Sequence, residues 1–418
     1  MRAGFAITDI TPEGPVPLMG YPGPRRLSTG IRDPLQAHVL HVRSGQGGLI
    51  LVALDLFWLD PLFSAQLRND IARDTGLAIE QVFIGCTHTH TAPVTSRLIN
   101  CLGTPAYSEP DPAYLGLIRK RVVQATAQAA ATTQPATLEA FNIPDPDHPA
   151  ESLAGLIVRD AGQSNILSLL LATRRIPNSL GESVPQVSAD WPGVFRRELS
   201  QQLHIRECSL LILITPPMTP ASPPSPPVPL ESIAGTLART VSDRIRTPAS
   251  PVHSGDPVFT GRRASIILPR RPIPSLWDSR LLWSDARIAY EQQTASTADP
   301  ATLAPARRAM QSADGMMKFS LSQQANKLDA MLGPYATVEV QVVRIGDTLT
   351  LAGLPGLPIG LPAIPPPPGR PWIIVSPVNG DLQGYVSPEN QPTALPSPFS
   401  PDTLPLFARQ VHQLAASL

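Results

Sequence analysis

The chain has 418 residues, with 33 Lys and Arg against 33 Asp and Glu, so its formal net charge is zero. Hydrophobic residues are 42% and charged residues 16%. A core can therefore be buried, while no basic surplus exists to neutralise a phosphate backbone or an anionic lipid surface. Nucleic acid is excluded as an expected partner, and no run of about 18 apolar residues predicts a membrane span.

Strand and helix signals alternate from the start. Residues 49–54, Leu-Ile-Leu-Val-Ala-Leu, are a continuous apolar run ending at Asp55, the pattern of a strand buried on both faces. Helical spacing follows over 62–74, with Gly76 at the C-cap position. Residues 82–86 form a second short buried strand. Asp111-Pro112 predicts an N-cap with Pro at the first helical position. Leu115, Ile118, Val122, Ala125 and Ala129 then share one helical face. Residues 153–158 and 166–172 read as a hairpin, 193–203 as a helix and 210–214 as a buried strand. Ile233, Leu237, Val241 and Ile245 mark a helix over 231–246. Residues 280–332 are largely helical, and Trp277 and Trp283 are expected in the core. A hairpin is predicted at 338–352 around Gly346-Asp347. A strand at 372–375 and a closing helix at 402–417 complete the reading. His38 and His41, on another strand and three apart, should face opposite sides. His148, His204, His253 and His412 are isolated and expected at the surface.

Proline is the outlier, with 50 residues. They cluster at 216–229, 355–371 and 388–405, where they predict rigid connectors of polyproline character. Hairpins and crossovers both occur, so the expected fold class is α/β, a mixed β-sheet core with flanking helices, in one domain over 1–418. Three cysteines, Cys86, Cys101 and Cys208, cannot build a disulfide framework. With no h-region or cleavage site at the N-terminus, the expected location is the cytoplasm.

The segment richest in chemistry is Gly85-Cys86-Thr87-His88-Thr89-His90-Thr91, directly after a buried strand. In extended backbone, positions two apart share a face, so His88 and His90 should converge with Thr87 and Thr89 turned away. Imidazoles so placed can bind zinc or move protons; they can equally be a hydrogen-bonded structural pair. Asp55 either orients one of these imidazoles by a hydrogen bond or N-caps the helix after it. Asp190, before Trp191-Pro192-Gly193, is placed beside the pocket and reads best as a helix N-cap. Arg32-Asp33 reads as a local ion pair.

Several segments, in order, resemble the N-terminal domain of the neutral/alkaline (non-lysosomal) ceramidase family. Residues 3–12, Ala-Gly-Phe-Ala-Ile-Thr-Asp-Ile-Thr-Pro, resemble its opening strand. Met19-Gly20-Tyr21 and residues 30–37 follow in place. Thr87-His88-Thr89-His90 resembles the family's Thr-His-Thr-His-Ser signature. Residues 188–193 are similar to a strand-to-helix turn of the shorter bacterial members. Residues 344–347 and Leu354-Pro355-Gly356 look like later sheet segments, and Asn379-Gly380 with Gly384-Tyr385-Val386 like the last loop of the active site. A C-terminal immunoglobulin-like domain is not expected, and the chain reads as a divergent short member.

The resemblance implies a zinc amidase acting on a ceramide-type N-acyl amide, with two His, one Glu and one Tyr as ligands. His88 matches the first ligand, and His90 the residue that binds substrate or stabilises the oxyanion. Arg174 falls where the second His is expected, and Leu357 where the Glu is. Asp381 stands at the Tyr position, after Asn379-Gly380, as a carboxylate able to bind metal, and Tyr385, further along the same loop, is the alternative ligand if the loop is shifted. A degenerate zinc site is thus the expectation, with a small molecule as substrate or ligand. Three readings follow: a hydrolase, a metal-free hydrolase using His90 as general base and Arg174 as oxyanion clamp, or an inactive protein that keeps the pocket for binding.

Overall fold

The structure is a computed structural model. It describes all residues except 22–25, 46, 104–107, 148–150, 163–164, 178, 181–183, 206–207, 219–228, 248–256, 298 and 367–370. His148, His253 and most of the 216–229 loop lie outside the described residues.

Two mixed sheets form the centre. The larger is built from β1 (Arg2–Asp9), β2 (Gln36–Ser44), β3 (Gly47–Leu54), β4 (Val82–Cys86), β5 (Gln134–Pro144), β6 (Ser152–Asp160), β7 (Ile166–Thr173) and β8 (Ser209–Ile214), in the spatial order β4-β3-β2-β1-β5-β6-β7-β8. Its two edge pairs are parallel. The β3–β4 crossover is helix α1 (Pro61–Thr75), and the β7–β8 crossover holds α3 (Trp191–Leu203); the other pairs are antiparallel. The smaller sheet runs β12-β11-β10-β9, from β9 (Phe259–Ile267), β10 (Thr337–Ile345), β11 (Leu349–Gly353) and β12 (Trp372–Val375). The remaining helices are α2 (Pro112–Ala131), α4 (Leu230–Arg246), α5 (Leu276–Ser296), α6 (Pro300–Gln324), α7 (Leu328–Leu332) and α8 (Thr403–Ala416).

The apolar run of β3 follows from these layers. Ile50, Val52 and Leu54 pack with α1 and α2, while Leu49, Leu51 and Ala53 pack against Val343, Leu351 and Val375 of the second sheet. A strand covered by helices on one face and a sheet on the other has no polar side to show. On the far half, Leu169, Leu171, Leu210 and Ile212 bury against Phe195 of α3 and Leu237 and Val241 of α4. The expected mixed α/β architecture is the one observed, and the hairpins β6–β7 and β10–β11 pair antiparallel as read. Helix α1 ends at Gly76 in the left-handed conformation and α2 starts at Asp111, whose carboxylate accepts from Ala113 N.

Two expectations are corrected. Trp277 is 69% exposed, because α5 is covered only along the side facing α6. Arg32 pairs with Glu231 at 3.7 Å, while Asp33 accepts hydrogen bonds from the Ser188 hydroxyl and Ala189 N. Strands β5 and β9 also appear where polar residues interrupt any alternation, since both have a partly exposed face.

The segment 376–379 joins the larger sheet's two edge strands at their C-terminal ends. Ser376 N bonds Ile214 O at the end of β8, and Cys86 N bonds Pro377 O at the end of β4. Asn379 N then bonds Ile84 O. The ends of β4 and β8 and the segment after β12 therefore meet at one place.

Candidate active site

His88 has φ +62, a left-handed conformation, so the expected extended backbone is not what brings the two imidazoles together. The loop is held by Thr87 N to Leu54 O and His88 N to Leu56 O, both 2.9 Å, and it turns at His88. The rings still converge, with centroids 5.3 Å apart and planes at 84°. Thr89 and Thr91 donate to Ser188 O, which fixes the loop against the chain leading into α3.

The His88 ring is fully ordered by its partners. Its Nδ1 lies 2.9 Å from Phe57 O. A carbonyl only accepts, so Nδ1 carries the proton and Nε2 presents its lone pair. That lone pair accepts from the Tyr385 hydroxyl at 3.1 Å. The ring also stacks on Phe57, centroids 4.0 Å apart. Burial pulls its pKa down to about 3, so it is neutral at physiological pH. Tyr385 is positioned by the 388–405 loop: its N bonds Leu395 O, and Ser397 N bonds its O. Burial pushes its phenol up, so the hydroxyl keeps its proton.

His90 differs in one respect: neither ring nitrogen has a hydrogen-bond partner among the described residues, although both are buried. Trp58 Nε1, on the segment after β3, is likewise buried and unpartnered among them. The His90 backbone is held by Arg26 donating to its O and by Pro177 O accepting its N–H, both 3.0 Å. Tyr21 and Phe57 meet the ring edge-on at 4.9 Å. Burial lowers the His90 pKa well below its usual value, and His88 and the Arg26 cation add to this. Gly20, φ +113, lets the chain pass the ring: a Cβ there would lie 2.7 Å from His90 Cγ. Met19, Phe57, Trp58, Val94, Leu98 and Leu395 form the apolar wall. Beside Gly20 and Tyr21 the described residues leave a cavity of about 20 Å³, room for one water.

The other sequence candidates lie elsewhere. Arg174 pairs with Glu151 at 3.5 Å and is 38% exposed; no hydrogen bond joins it to either imidazole among the described residues. Asp55 is fully buried and grips Arg196 of α3 through both oxygens at 2.6 and 3.0 Å, and it also accepts from Gln36 N. It neither orients an imidazole nor caps α1, whose N-cap is Asp60. Asp190 is the N-cap of α3, accepting from Trp191 N and Leu180 N. Asn379 donates to Gln341 Oε1 of β10 at 2.6 Å. Asp381 is buried and accepts from the Ser96 hydroxyl, Gln383 N and Gln383 Nε2, so its oxygens are committed to tying two loops together. Leu357 is buried. The sequence motif does not announce Phe57 and Trp58 as walls of the pocket; an aromatic pair just past the C-terminal end of a buried strand is the available signal.

A catalytic zinc takes three protein ligands and keeps one position open. His88 Nε2 and Tyr385 Oη are two donors in contact, and no group of three His, Cys, Asp or Glu able to hold a metal occurs among the described residues.

No family model matches the sequence, and no curated protein does. Among solved structures, the chain is similar to the neutral ceramidase from Pseudomonas aeruginosa, with TM-score 0.67 and 14% identity over 100% of this chain and 74% of that one. It is equally similar to a ceramidase complexed with C2, with TM-score 0.67 and 14% identity, covering 100% of this chain and 75% of that one. The fold is thus ceramidase-like.

Proposed function

We propose that this chain, read as a single ceramidase N-terminal-like domain over 1–418, is a ceramidase-like hydrolase of an N-acyl amide bond, of the ceramide type. In this reading its pocket acts through His90 and not through a four-ligand zinc centre. The observation that carries the proposal is the pair of buried nitrogens of His90, unpartnered among the described residues. An unmet buried polar group costs roughly 1–3 kcal/mol, and a bound amide carbonyl would satisfy one of them. A neutral imidazole can donate to that oxygen or take a proton from water. His88 and Tyr385 then form the adjoining polar wall, held in place by Phe57 O. Zinc is not assigned, because His88 Nε2 and Tyr385 Oη are the two donors in contact at the site, and Arg174, matched by sequence to a ligand, pairs with Glu151 instead. The three buried cysteines, none of them in a disulfide, fit a reducing compartment, and the cytoplasm is the location proposed.

A second reading is an inactive member that keeps the fold as a binding module for a small molecule. The commitment of both Asp381 oxygens to Ser96 and Gln383, which takes a carboxylate out of the site, favours it. One experiment separates them: hydrolysis of N-acyl amides of graded chain length by the purified chain, with and without chelator. The expected result is turnover that survives chelation and falls about 100-fold in His90→Ala. Binding of the amide without turnover would select the second reading. Neither binding nor turnover would defeat both.

A further inference from the structure

The sharpest feature outside the pocket is the outer face of α5. One side of this helix packs on α6, where Ser279, its one buried residue, bonds Ser320 through their hydroxyls. The opposite side carries Trp277, Leu281 and Ile288, exposed by 69, 48 and 47%. These residues lie four and seven apart, so they form one stripe. In heptad terms Leu281, Ile288 and Ala295 fall at a, and Trp277, Ser284 and Glu291 at d. The flanks sort by sign: Asp278 and Asp285 at e, Arg280 and Arg287 at g. Arg287 is engaged within the helix, pairing with Glu291 at 3.1 Å and lying over Trp283. Arg280 and Asp285 have no ion-pair partner among the described residues.

We infer that this face docks a second copy of the chain as a parallel two-stranded coiled coil. The charge pattern commits to that occupant. In a parallel pair each g position meets the e position of the next heptad on the other helix, so Arg280 meets Asp285 of the partner subunit, twice by symmetry. In an antiparallel pair g meets g and e meets e, which sets Arg against Arg and Asp against Asp. A lipid surface is disfavoured, since acids balance bases along the stripe and no polybasic face results. Ser284 and Glu291 at d limit the apolar seam, so the dimer is reversible.

Sedimentation over a concentration series at low and high salt tests this, using the full chain. The expected result is a monomer–dimer equilibrium weakened by salt, with Arg280→Asp monomeric and the double variant Arg280→Asp, Asp285→Arg restored to dimer. Ser284→Cys should cross-link to its own copy on mild oxidation, because d positions face each other in a parallel pair and the native cysteines are buried. A chain that stays monomeric throughout, a charge swap that restores nothing, or a Ser284→Cys variant that fails to cross-link would overturn the inference. So would a monomer that instead co-sediments with phosphatidylcholine–phosphatidylserine vesicles through Trp277.

Discussion

His88 Nε2 accepts a hydrogen bond from the Tyr385 hydroxyl at 3.1 Å, joining the loop after β4 to a loop far along the chain. The bond is possible because Phe57 O holds the proton on the opposite nitrogen. Tyr385→Phe should therefore leave a buried ring nitrogen unpaired. The expected cost is about 1–3 kcal/mol, read as a lower denaturant midpoint with an unchanged slope. An unaltered midpoint would show that the contact contributes nothing to the fold.

Asp55 and Arg196 are both buried and bonded through two contacts, so neither charge tolerates losing the other. Arg196→Met should destabilise the protein by roughly 3–5 kcal/mol. Adding Asp55→Leu should recover much of that loss, since an apolar pair avoids the uncompensated charge. Chemical denaturation of the single and double variants checks both statements.

Gly20 offers a local test of His90. Gly20→Ala adds a Cβ that collides with the His90 ring, while Gly14→Ala, at a similar φ of +101, meets nothing within 4 Å. Both carry a backbone strain of more than about 1 kcal/mol. Only Gly20→Ala should also weaken amide binding or turnover, by about tenfold or more, an effect of ~1.4 kcal/mol. Equal effects in the two variants would remove His90 from the account.

Asp381 makes the stability depend on pH. Burial raises its pKa to about 7, while its bonds from Ser96 and Gln383 act the other way. The usual value of an aspartate is near ~3.9. Between those values the folded chain holds a proton that the unfolded chain has released, so this group's contribution is full at low pH and fades as pH rises to about 7. Asp381→Asn, which imitates the neutral acid, should remove that decline. His41 and His88, lowered by burial to about 4 and about 3, titrate with the opposite sign. The comparison is therefore wild type minus variant, from urea midpoints between about pH 4.5 and 8. A constant difference would show that Asp381 does not change its proton on unfolding.

Much of the layering was legible in the sequence because burial on two faces leaves a mark. The run 49–54 announces β3, and Asp111-Pro112 announces the start of α2. Strands β5 and β9 leave no such mark, since each has one partly exposed face. The two histidines were legible as a pair, though the backbone that unites them is left-handed and not extended. The partners of carboxylates were not legible. Asp55 finds Arg196 on α3, and Asp381 finds Ser96, through contacts that only the assembled sheets create. Trp277 misled for a related reason: a helix that packs on one neighbour leaves large apolar residues outside.

In this reading His88 and His90 act without the donors of a four-ligand zinc centre. Metal analysis of protein purified from zinc-supplemented cells tests it most directly, run alongside His88→Ala. The expected result is well under one zinc per chain, with no difference between the two proteins. One tightly held zinc per chain that disappears in His88→Ala would contradict it.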